Sequence, residues 1–264
     1  MGTPPFMQFR SRLVAKEPML GTFIKSPVTH GIEILGSVGF DFVVVDQEHA
    51  AFDRVTIDAL ILAGRAAGIA VLVRVPGGEA RDILPVLDCG AQGVLVPHVG
   101  TPALASGIVA EARYQGGRRG FTNSSRAGGY GTLGFQAHVA AGDAHAAVVA
   151  MIEDLCALEV LDDIAAVQGL DAFFIGRGDL SIALGADSPG APAVVNATER
   201  IAAAARRAGK AICAHVDRAD SPDVAWLRGL GVTAFIVSSE QGLMRRAATQ
   251  TLLQFREANK APSR

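Results

Sequence analysis

The amino-acid sequence predicts a single-domain (β/α)8, or TIM, barrel, and three observations support that prediction. Eight short runs rich in Val, Ile and Phe recur, and most are apolar throughout, which is typical of parallel strands covered on their outer face. Segments of helical periodicity separate these runs, and several end at a glycine. The 264 residues, 50% of them hydrophobic, match the roughly 250 residues of one such barrel, so we expect one domain over residues 1–264.

The individual elements follow in chain order. The apolar runs predict strands at 21–25, 42–47, 70–76, 93–99, 148–154, 171–177, 211–216 and 234–239. The periodic segments predict helices at 29–39, 53–68, 80–90, 102–114, 156–167, 194–209, 221–231 and 240–258. The last helix is longer than barrel closure needs and carries a stripe of Leu and Phe, which favours packing against another subunit.

Two stretches interrupt the regular spacing. Residues 115–135 are rich in Gly, Arg and Ser, and residues 185–193 are rich in Pro and Gly. Long irregular segments in a compact domain are usually lids, binding loops or assembly elements. We expect both on the side of the barrel where function concentrates.

Composition excludes several classes of protein. The formal net charge of −2 provides no overall field for nucleic acid or an anionic membrane, and no apolar run approaches the roughly 18 residues of a membrane span. The three cysteines lack the spacing of zinc or thiol redox motifs, so we expect core thiols in a reducing cytoplasm. The chain is therefore expected to be a cytoplasmic protein that binds neither nucleic acid nor membrane.

Polar residues at the ends of the predicted strands identify a candidate site. In a barrel of parallel strands, all carboxyl ends meet at one mouth. Ionisable side chains in such apolar strands are unfavourable unless they are paired or bind a ligand. The strand-end residues of this kind are Asp46, Glu48, His49, Arg74, Glu153, Asp154, Arg177 and Asp179.

Glu153 and Asp179 form a candidate metal site. They follow neighbouring strands and provide only oxygen ligands, which suits Mg²⁺ or Mn²⁺, with Co²⁺ or Zn²⁺ as alternatives. A divalent ion beside Arg74 suits a 2-oxo acid and stabilises the enolate formed when a carbon–carbon bond breaks. His49 then moves the proton, because histidine titrates near neutral pH.

Several alternatives compete with this interpretation. Arg74 and Glu153 together also fit an ion pair that fills the top of the barrel. Lys25 ends the first strand and fits either a Schiff-base aldolase or a solvated or ion-paired lysine, of which the latter is preferred. The Arg177–Asp179 tripeptide matches an adhesion motif, although a barrel mouth would bury it. A CoA-ester lyase and a non-catalytic 2-oxo acid binding barrel are the remaining alternatives.

The sequence resembles the HpcH/HpaI family of metal-dependent class II pyruvate aldolases over nearly its whole length. The motifs that carry the resemblance are, in order, FDFVVVDQEHAAFD, VLVRVP, LDCGAQGVLVPHV, RYQGGRRG, MIED and FFIGRGDLS. The resemblance implies reversible cleavage of a 4-hydroxy-2-oxo acid to pyruvate and an aldehyde. It also implies a homohexamer built as a trimer of dimers with exchanged C-terminal helices.

The resemblance further implies a role for each matching residue. His49 would be the acid/base, Arg74 would stabilise the transition state, and Asp88 would raise the basicity of His49. Glu153 and Asp179 would hold the metal, and backbone amides around Gly178 and Asp179 would hold the pyruvate carboxylate.

The sequence departs from the family pattern at two positions that bear on substrate preference. Met151 stands where many relatives have Gln, and Arg177 stands where Pro is common. Three arginines of the 115–126 loop fit equally well a site for an acidic aldehyde and a solvated or inter-subunit charge run; these are Arg118, Arg119 and Arg126.

Overall fold

The computed structural model describes residues 4–259, and its eight parallel strands close into a barrel in chain order. The strands are β1 (Met19–Ile24), β2 (Phe42–Asp46), β3 (Ala70–Arg74), β4 (Gly93–Val96), β5 (Ala147–Ile152), β6 (Ala172–Ile175), β7 (Ala211–Val216) and β8 (Ala234–Ser239). The predicted fold class is confirmed. β4 and β5 end earlier than predicted, so Glu153 lies in the loop after β5.

Twelve α-helices accompany the barrel in the part of the chain that the structure describes. They are α1 (Phe9–Val14), α2 (His30–Val38), α3 (Arg54–Ala67), α4 (Ala80–Asp88), α5 (Pro102–Ala112), α6 (Phe135–His145), α7 (Leu155–Glu159), α8 (Leu161–Ala165), α9 (Arg177–Ala183), α10 (Pro192–Arg207), α11 (Pro222–Gly229) and α12 (Glu240–Ala258). The sequence did not predict α1, α6 or α9. The helix predicted at 156–167 is instead two short helices, because the backbone at Val160 is not helical.

Local sequence sets where the helices begin and end. Asp53 caps α3 by accepting a hydrogen bond from the backbone N–H of Thr56 at 2.7 Å. Gly68 ends the same helix with a φ of +71°, a conformation that glycine adopts without steric penalty.

Two apolar layers hold the barrel together. One lies between the strands and the surrounding helices, and the other fills the barrel interior. The interior layer is sealed at the amino end of the strands, here called the base, by Phe9 and Leu13 of α1. The ring of Phe9 lies 5.2 Å from that of Phe42, and burial of each such side chain contributes about 2 kcal/mol.

The 115–135 stretch connects α5 to α6 and therefore lies toward the base, where α6 contacts α1. The expectation that this stretch lies on the functional side is wrong, because α5 has already returned the chain to the amino ends of the strands. The 185–193 stretch lies at the carboxyl end, here called the mouth, where Pro189 and Gly190 border a cavity.

The burial of the cysteines differs from the prediction. The rest of the described chain also leaves α12 uncovered. Only Cys213 is buried, whereas Cys156 is exposed, so the cysteines are not all core thiols. α12 buries none of its described residues and exposes the large side chains Met244, Leu252, Leu253 and Phe255. Within residues 4–259, no helix is both long and apolar enough to cross a bilayer.

Candidate active site

A cavity of about 890 Å³ opens at the mouth of the barrel. This mouth cavity is bordered by five of the site residues that the sequence predicted, namely His49, Arg74, Met151, Gly178 and Asp179. They come from the ends of β2, β3 and β5 and from the start of α9. The parallel barrel therefore brings together residues that are far apart in the sequence.

Asp46 and Arg74 form the central ion pair beneath the mouth cavity. Nε and Nη2 of Arg74 donate to the two carboxylate oxygens of Asp46 at 2.9 and 2.7 Å, and Nζ of Lys25 lies 2.7 Å from Oδ2. Burial raises the pKa of the Asp46 carboxyl, but the hydrogen bonds from Arg74 and Lys25 outweigh burial and lower it to about 2. Asp46 is therefore a fixed anion with two cations oriented around it.

This pairing bears on two of the alternatives. Arg74 pairs with Asp46, and its Nη1 lies 3.3 Å from Glu48, so the predicted Arg74–Glu153 ion pair does not form. Lys25 is an ion-paired lysine, the preferred of its two interpretations. Its Nζ is therefore held by Asp46, whereas a Schiff base needs an amine that is free to attack a carbonyl carbon.

His49 lies at the edge of the cavity, three residues beyond Asp46. Its backbone N–H donates to Oδ1 of Asp46 at 3.2 Å, which fixes the turn that carries the ring. The side chain is 58% exposed, and Nε2 lies 3.6 Å from Glu48. An accessible imidazole next to a carboxylate suits proton transfer with a bound molecule.

Glu153 is buried against Gly176, which borders the cavity, and one of its carboxylate oxygens is unsatisfied. Oε1 accepts the backbone N–H of His98 at 2.9 Å, whereas Oε2 has no partner among residues 4–259. Burial raises the pKa of Glu153 to about 7 against the lowering effect of His98, and the charges of Asp179 and Glu48 add to that rise. A Cβ on Gly176 would come within 2.5 Å of Oε2, so only glycine allows this approach.

These residues fit a divalent cation. The unsatisfied, buried Oε2 of Glu153 and the exposed carboxylate of Asp179 are hard oxygen ligands of the kind that Mg²⁺ and Mn²⁺ prefer. No cluster of three or more His, Cys, Asp or Glu side chains in the described ranges is arranged to hold a metal. Two carboxylates leave the remaining positions to water and substrate oxygens, as expected for a catalytic ion.

His98 belongs to the site, although the sequence reasoning gave it no role. Its ring lies 3.2 Å from Asp154, 3.6 Å from Glu153 and 3.8 Å from Glu48. Burial acts to lower the pKa of His98, but the hydrogen bond to Asp154 and the nearby carboxylates outweigh it and raise the pKa. Its position after β4, in the motif LDCGAQGVLVPHV, is the strand-end pattern that identified the other residues.

Asp88 does not lie at the mouth. It ends α4, so it precedes β4 and lies toward the base, where Oδ1 is 3.2 Å from Nη2 of Arg119. The resemblance implied that Asp88 acts on His49. Within one chain, however, the structure does not bring Asp88 to His49. The family motif indicated a role but not the end of the barrel at which the residue lies.

The three loop arginines, and Arg177 of the adhesion-like tripeptide, form ion pairs within the chain. Arg118 pairs with Glu111, Arg119 with Asp88 and Arg126 with Asp58, so within this chain they are paired charges away from the cavity. Arg177 is only 8% exposed and pairs with Asp223 at 2.8 Å, which leaves the tripeptide unsuited to adhesion.

The fold and the site together are those of a barrel enzyme whose polar side chains converge at the mouth. Residues 19–240 match the HpcH/HpaI aldolase/citrate lyase family, and the chain belongs to that family. It is therefore a lyase-type enzyme, as the resemblance implied.

Individual relatives span nearly the whole chain. The 5-keto-4-deoxy-D-glucarate aldolase of Salmonella paratyphi C is 34% identical over 251 residues, which cover 93% of this chain and 94% of the relative. A family member from Burkholderia cenocepacia has a similar structure, with a TM-score of 0.88, 28% identity and coverage of 94% and 99%. The citrate synthase SbnG gives a TM-score of 0.85, 32% identity and coverage of 96% and 98%.

Proposed function

We propose that the protein catalyses the reversible cleavage of a 4-hydroxy-2-oxo acid to pyruvate and an aldehyde. The observation that supports this most strongly is the arrangement of Arg74, His49 and Asp179 around one cavity, with the buried Glu153 packed behind Gly176 of the same cavity and close enough to Asp179 to feel its charge. A cation-binding carboxylate pair, a fixed guanidinium and an accessible imidazole are the groups that a retro-aldol reaction needs.

The chain's own residues bind and orient the substrate. Glu153 and Asp179 would hold Mg²⁺ or Mn²⁺, with Co²⁺ or Zn²⁺ as alternatives. When bound, such an ion would polarise the 2-keto group and stabilise the negative charge that develops on its oxygen. Arg74, held rigid by Asp46, would donate a hydrogen bond to the same region, and the backbone around Gly178 would bind the carboxylate. Met151 would form the apolar floor beneath the methylene carbon.

His49 would move the proton in both directions. In cleavage its imidazole accepts the proton of the 4-hydroxyl group, directly or through a water molecule. The C3–C4 bond then breaks, its electron pair stays with the pyruvate half, and the aldehyde leaves. The proton returns from His49 to C3 of the pyruvate enolate, which completes pyruvate. Asp46 would keep Arg74 and His49 in position for these steps, because its carboxylate accepts hydrogen bonds from the Arg74 side chain and from the backbone N–H of His49.

The decisive experiment measures pyruvate release from a 4-hydroxy-2-oxo acid, coupled to lactate dehydrogenase. The assay is run before and after EDTA treatment, and again after Mg²⁺ or Mn²⁺ is restored. Loss and recovery of activity are expected. Activity indifferent to chelation, together with borohydride trapping of pyruvate on Lys25, would move the assignment to a Schiff base. Complete inactivity with every metal would leave a non-catalytic binding barrel.

A CoA-ester lyase is the second candidate, because the family description includes citrate lyase and one relative is a citrate synthase. Incubation with a 3-hydroxyacyl-CoA distinguishes it, since a CoA-ester lyase would break the C2–C3 bond and leave acetyl-CoA and a carbonyl compound, which chromatography separates from the unreacted ester. Family membership therefore leaves open whether the second compound in the reaction is an aldehyde or a CoA ester.

The proposal extends to assembly through exchange of α12. Beside this helix runs a groove of about 660 Å³ on the outer face of β1 and β8, bordered by Leu20, Phe40, Val237 and Leu243. A helix that buries none of its own residues next to an apolar groove supports exchange between two copies, with the homohexamer, a trimer of such dimers, as the expected assembly.

A further inference from the structure

The chain leaves β4 through a sharp backbone turn at His98. Pro97 directly follows the strand and has no N–H to pair with β5. At His98 the backbone enters the left-handed region with a φ of +55°, which residues that carry a Cβ rarely adopt. Val99 then returns to β5, where its N–H donates to the carbonyl of Met151 at 3.2 Å. The left-handed turn is therefore confined to one residue.

The turn directs the backbone N–H of His98 at Glu153. This N–H donates to Oε1 of Glu153 at 2.9 Å. On the other side of the carboxylate, Oε2 lies against Gly176 so closely that a Cβ there would not fit. The carboxylate is thus held between two backbone segments, and Oε2 is the oxygen without a partner among residues 4–259. The hydrogen bond from His98 therefore determines which of the two oxygens stays free.

The imidazole ring of His98 contacts two neighbouring loops. Nδ1 lies 3.2 and 3.3 Å from the two carboxylate oxygens of Asp154, and Nε2 lies 3.8 Å from Oε1 of Glu48. Asp154 stands at the N-cap position of α7, yet its side chain makes no cap hydrogen bond there. Its carboxylate faces His98 instead. Because 59% of the His98 side chain is exposed, these polar contacts rather than burial hold the ring in place.

A second left-handed residue shows what is particular about His98. Lys16 has a φ of +59° in the loop between α1 and β1, at the base, and its N–H donates to the carbonyl of Leu13, three residues earlier. That turn only connects two elements. Non-glycine residues in this conformation are unfavourable and persist where the surrounding structure holds them, most often at functional sites. The turn at His98 differs because its N–H goes to a carboxylate of the candidate metal site.

We propose that His98 is a positioning residue for the metal site: its left-handed backbone fixes Oε1 of Glu153 and so leaves Oε2 in place for a divalent cation. The inference rests on the proposed function, because that function assigns the ion to Glu153 and Asp179. His98 acts through Glu153 and is not a third ligand, since no group of three or more His, Cys, Asp or Glu side chains in the described ranges is arranged to hold a metal. Groups that orient a metal ligand typically account for about 10–100-fold of the affinity of a site.

Substitutions at position 98 separate the backbone from the ring. Asn tolerates the left-handed region and its side-chain amide can donate to Asp154, so His98→Asn should keep the turn. His98→Val should lose the turn, because a β-branched side chain is strongly disfavoured at positive φ. His98→Ala carries a smaller steric penalty at the same φ, so the comparison does not depend on a single variant.

Binding of Mn²⁺ measures the effect without any substrate. The dissociation constant follows from the EPR signal of free Mn²⁺ during a titration of the protein. We expect His98→Val to raise this constant by about tenfold or more and His98→Ala by about threefold or more. His98→Asn should stay within about twofold of the wild type, because the N–H still reaches Glu153.

Lys16→Val is the matched control, because it places the same β-branched side chain in a left-handed turn at the base. It should lower thermal stability as His98→Val does, but leave the Mn²⁺ constant within about twofold of the wild type. Unchanged Mn²⁺ affinity in His98→Val and His98→Ala overturns the inference. A loss in His98→Asn equal to that in His98→Val overturns it as well, because the ring rather than the backbone would then govern binding.

Steady-state kinetics separate this inference from the proposed function. If His98 acts through Glu153, the Mn²⁺ concentration for half-maximal pyruvate release rises with the dissociation constant in His98→Val, whereas kcat at saturating Mn²⁺ falls less than about threefold. Mn²⁺-dependent cleavage by the wild type, with unchanged Mn²⁺ affinity in His98→Val, would refute the role of His98 alone. A wild type that binds no Mn²⁺ refutes the metal site, and the inference falls with it.

Discussion

Asp46 accepts two hydrogen bonds from Arg74, at 2.9 and 2.7 Å, and its carboxylate is completely buried. The same carboxylate also binds Lys25 and the backbone N–H of His49. One anion therefore orients three neighbours, which lie directly after β1, at the end of β3 and in the turn after β2.

Asp46→Asn should destabilise the protein and reduce its activity together. The substitution leaves Arg74 and Lys25 facing a neutral group in a buried site, and breaking such a pair typically costs about 3–5 kcal/mol. Urea unfolding measures the loss of stability, and pyruvate release measures the loss of activity. A variant that unfolds at the wild-type urea concentration would contradict this account of the mouth.

The same carboxylate predicts a dependence of stability on acid. Its pKa is lowered from 3.8 to about 2 in the folded protein, so the unfolded chain takes up the proton more readily. The stabilisation is present above pH 4 and is lost as the pH falls toward 2. Unfolding followed by circular dichroism between pH 2 and pH 5 should show a steeper loss for the wild type than for Asp46→Asn.

Glu153→Gln should stabilise the metal-free protein above neutral pH while abolishing metal-dependent cleavage. The pKa of Glu153 is raised from 4.5 to about 7, so stability falls as the pH rises through that interval and the buried group ionises. The amide avoids this penalty, worth about 1–3 kcal/mol at pH 8. Thermal unfolding in EDTA at pH 5 and pH 8 checks the prediction. Equal pH dependence in the variant and the wild type would show that Glu153 is ionised without penalty.

His49→Ala and Arg74→Ala should each lower cleavage by about 10²–10⁴-fold. His49→Ala should retain wild-type stability, because the ring is largely exposed. His145→Ala, a histidine on α6 toward the base, is the matched control and should keep full activity. Steady-state kinetics decide the matter, and near-wild-type rates in either mouth variant would remove that residue from the mechanism.

Phe255→Asp should disrupt the assembly proposed for α12. The substitution places a charge among the exposed apolar side chains Leu252 and Leu253, where burial against another copy would be strongly unfavourable. Gln254→Asp adds the same charge to an exposed polar position of the same helix and should leave assembly unchanged. Light scattering after size-exclusion chromatography gives the mass of each species. A monomeric wild type would exclude exchange of α12.

The sequence predicts the strands well because their apolar runs are continuous. It does not predict α1 or α9, because six or seven residues are too few to establish helical periodicity. The sequence does not predict α6 for a different reason: this helix buries only His138 and Val139 and has no apolar stripe.

The ionisable residues at the ends of the predicted strands identified the mouth as the site, but they did not show which side chains pair with each other there. This pattern placed His49, Arg74 and Asp179 correctly around the cavity, because β-strand direction determines which end a residue reaches. It could not show that Arg74 pairs with Asp46 rather than Glu153, since both carboxylates follow barrel strands. Asp88 was placed by motif alone, and its position at the end of a helix put it toward the base.

Phe9 and Leu13 close the barrel at its base, so the interior is open to solvent at the mouth alone. Substrate and both products must share the single opening at the mouth. Under the proposed function pyruvate sits deeper, beside the buried Arg74, and the aldehyde sits nearer the rim. The aldehyde should then depart first and pyruvate second, so that added pyruvate inhibits cleavage competitively with the substrate while added aldehyde does not.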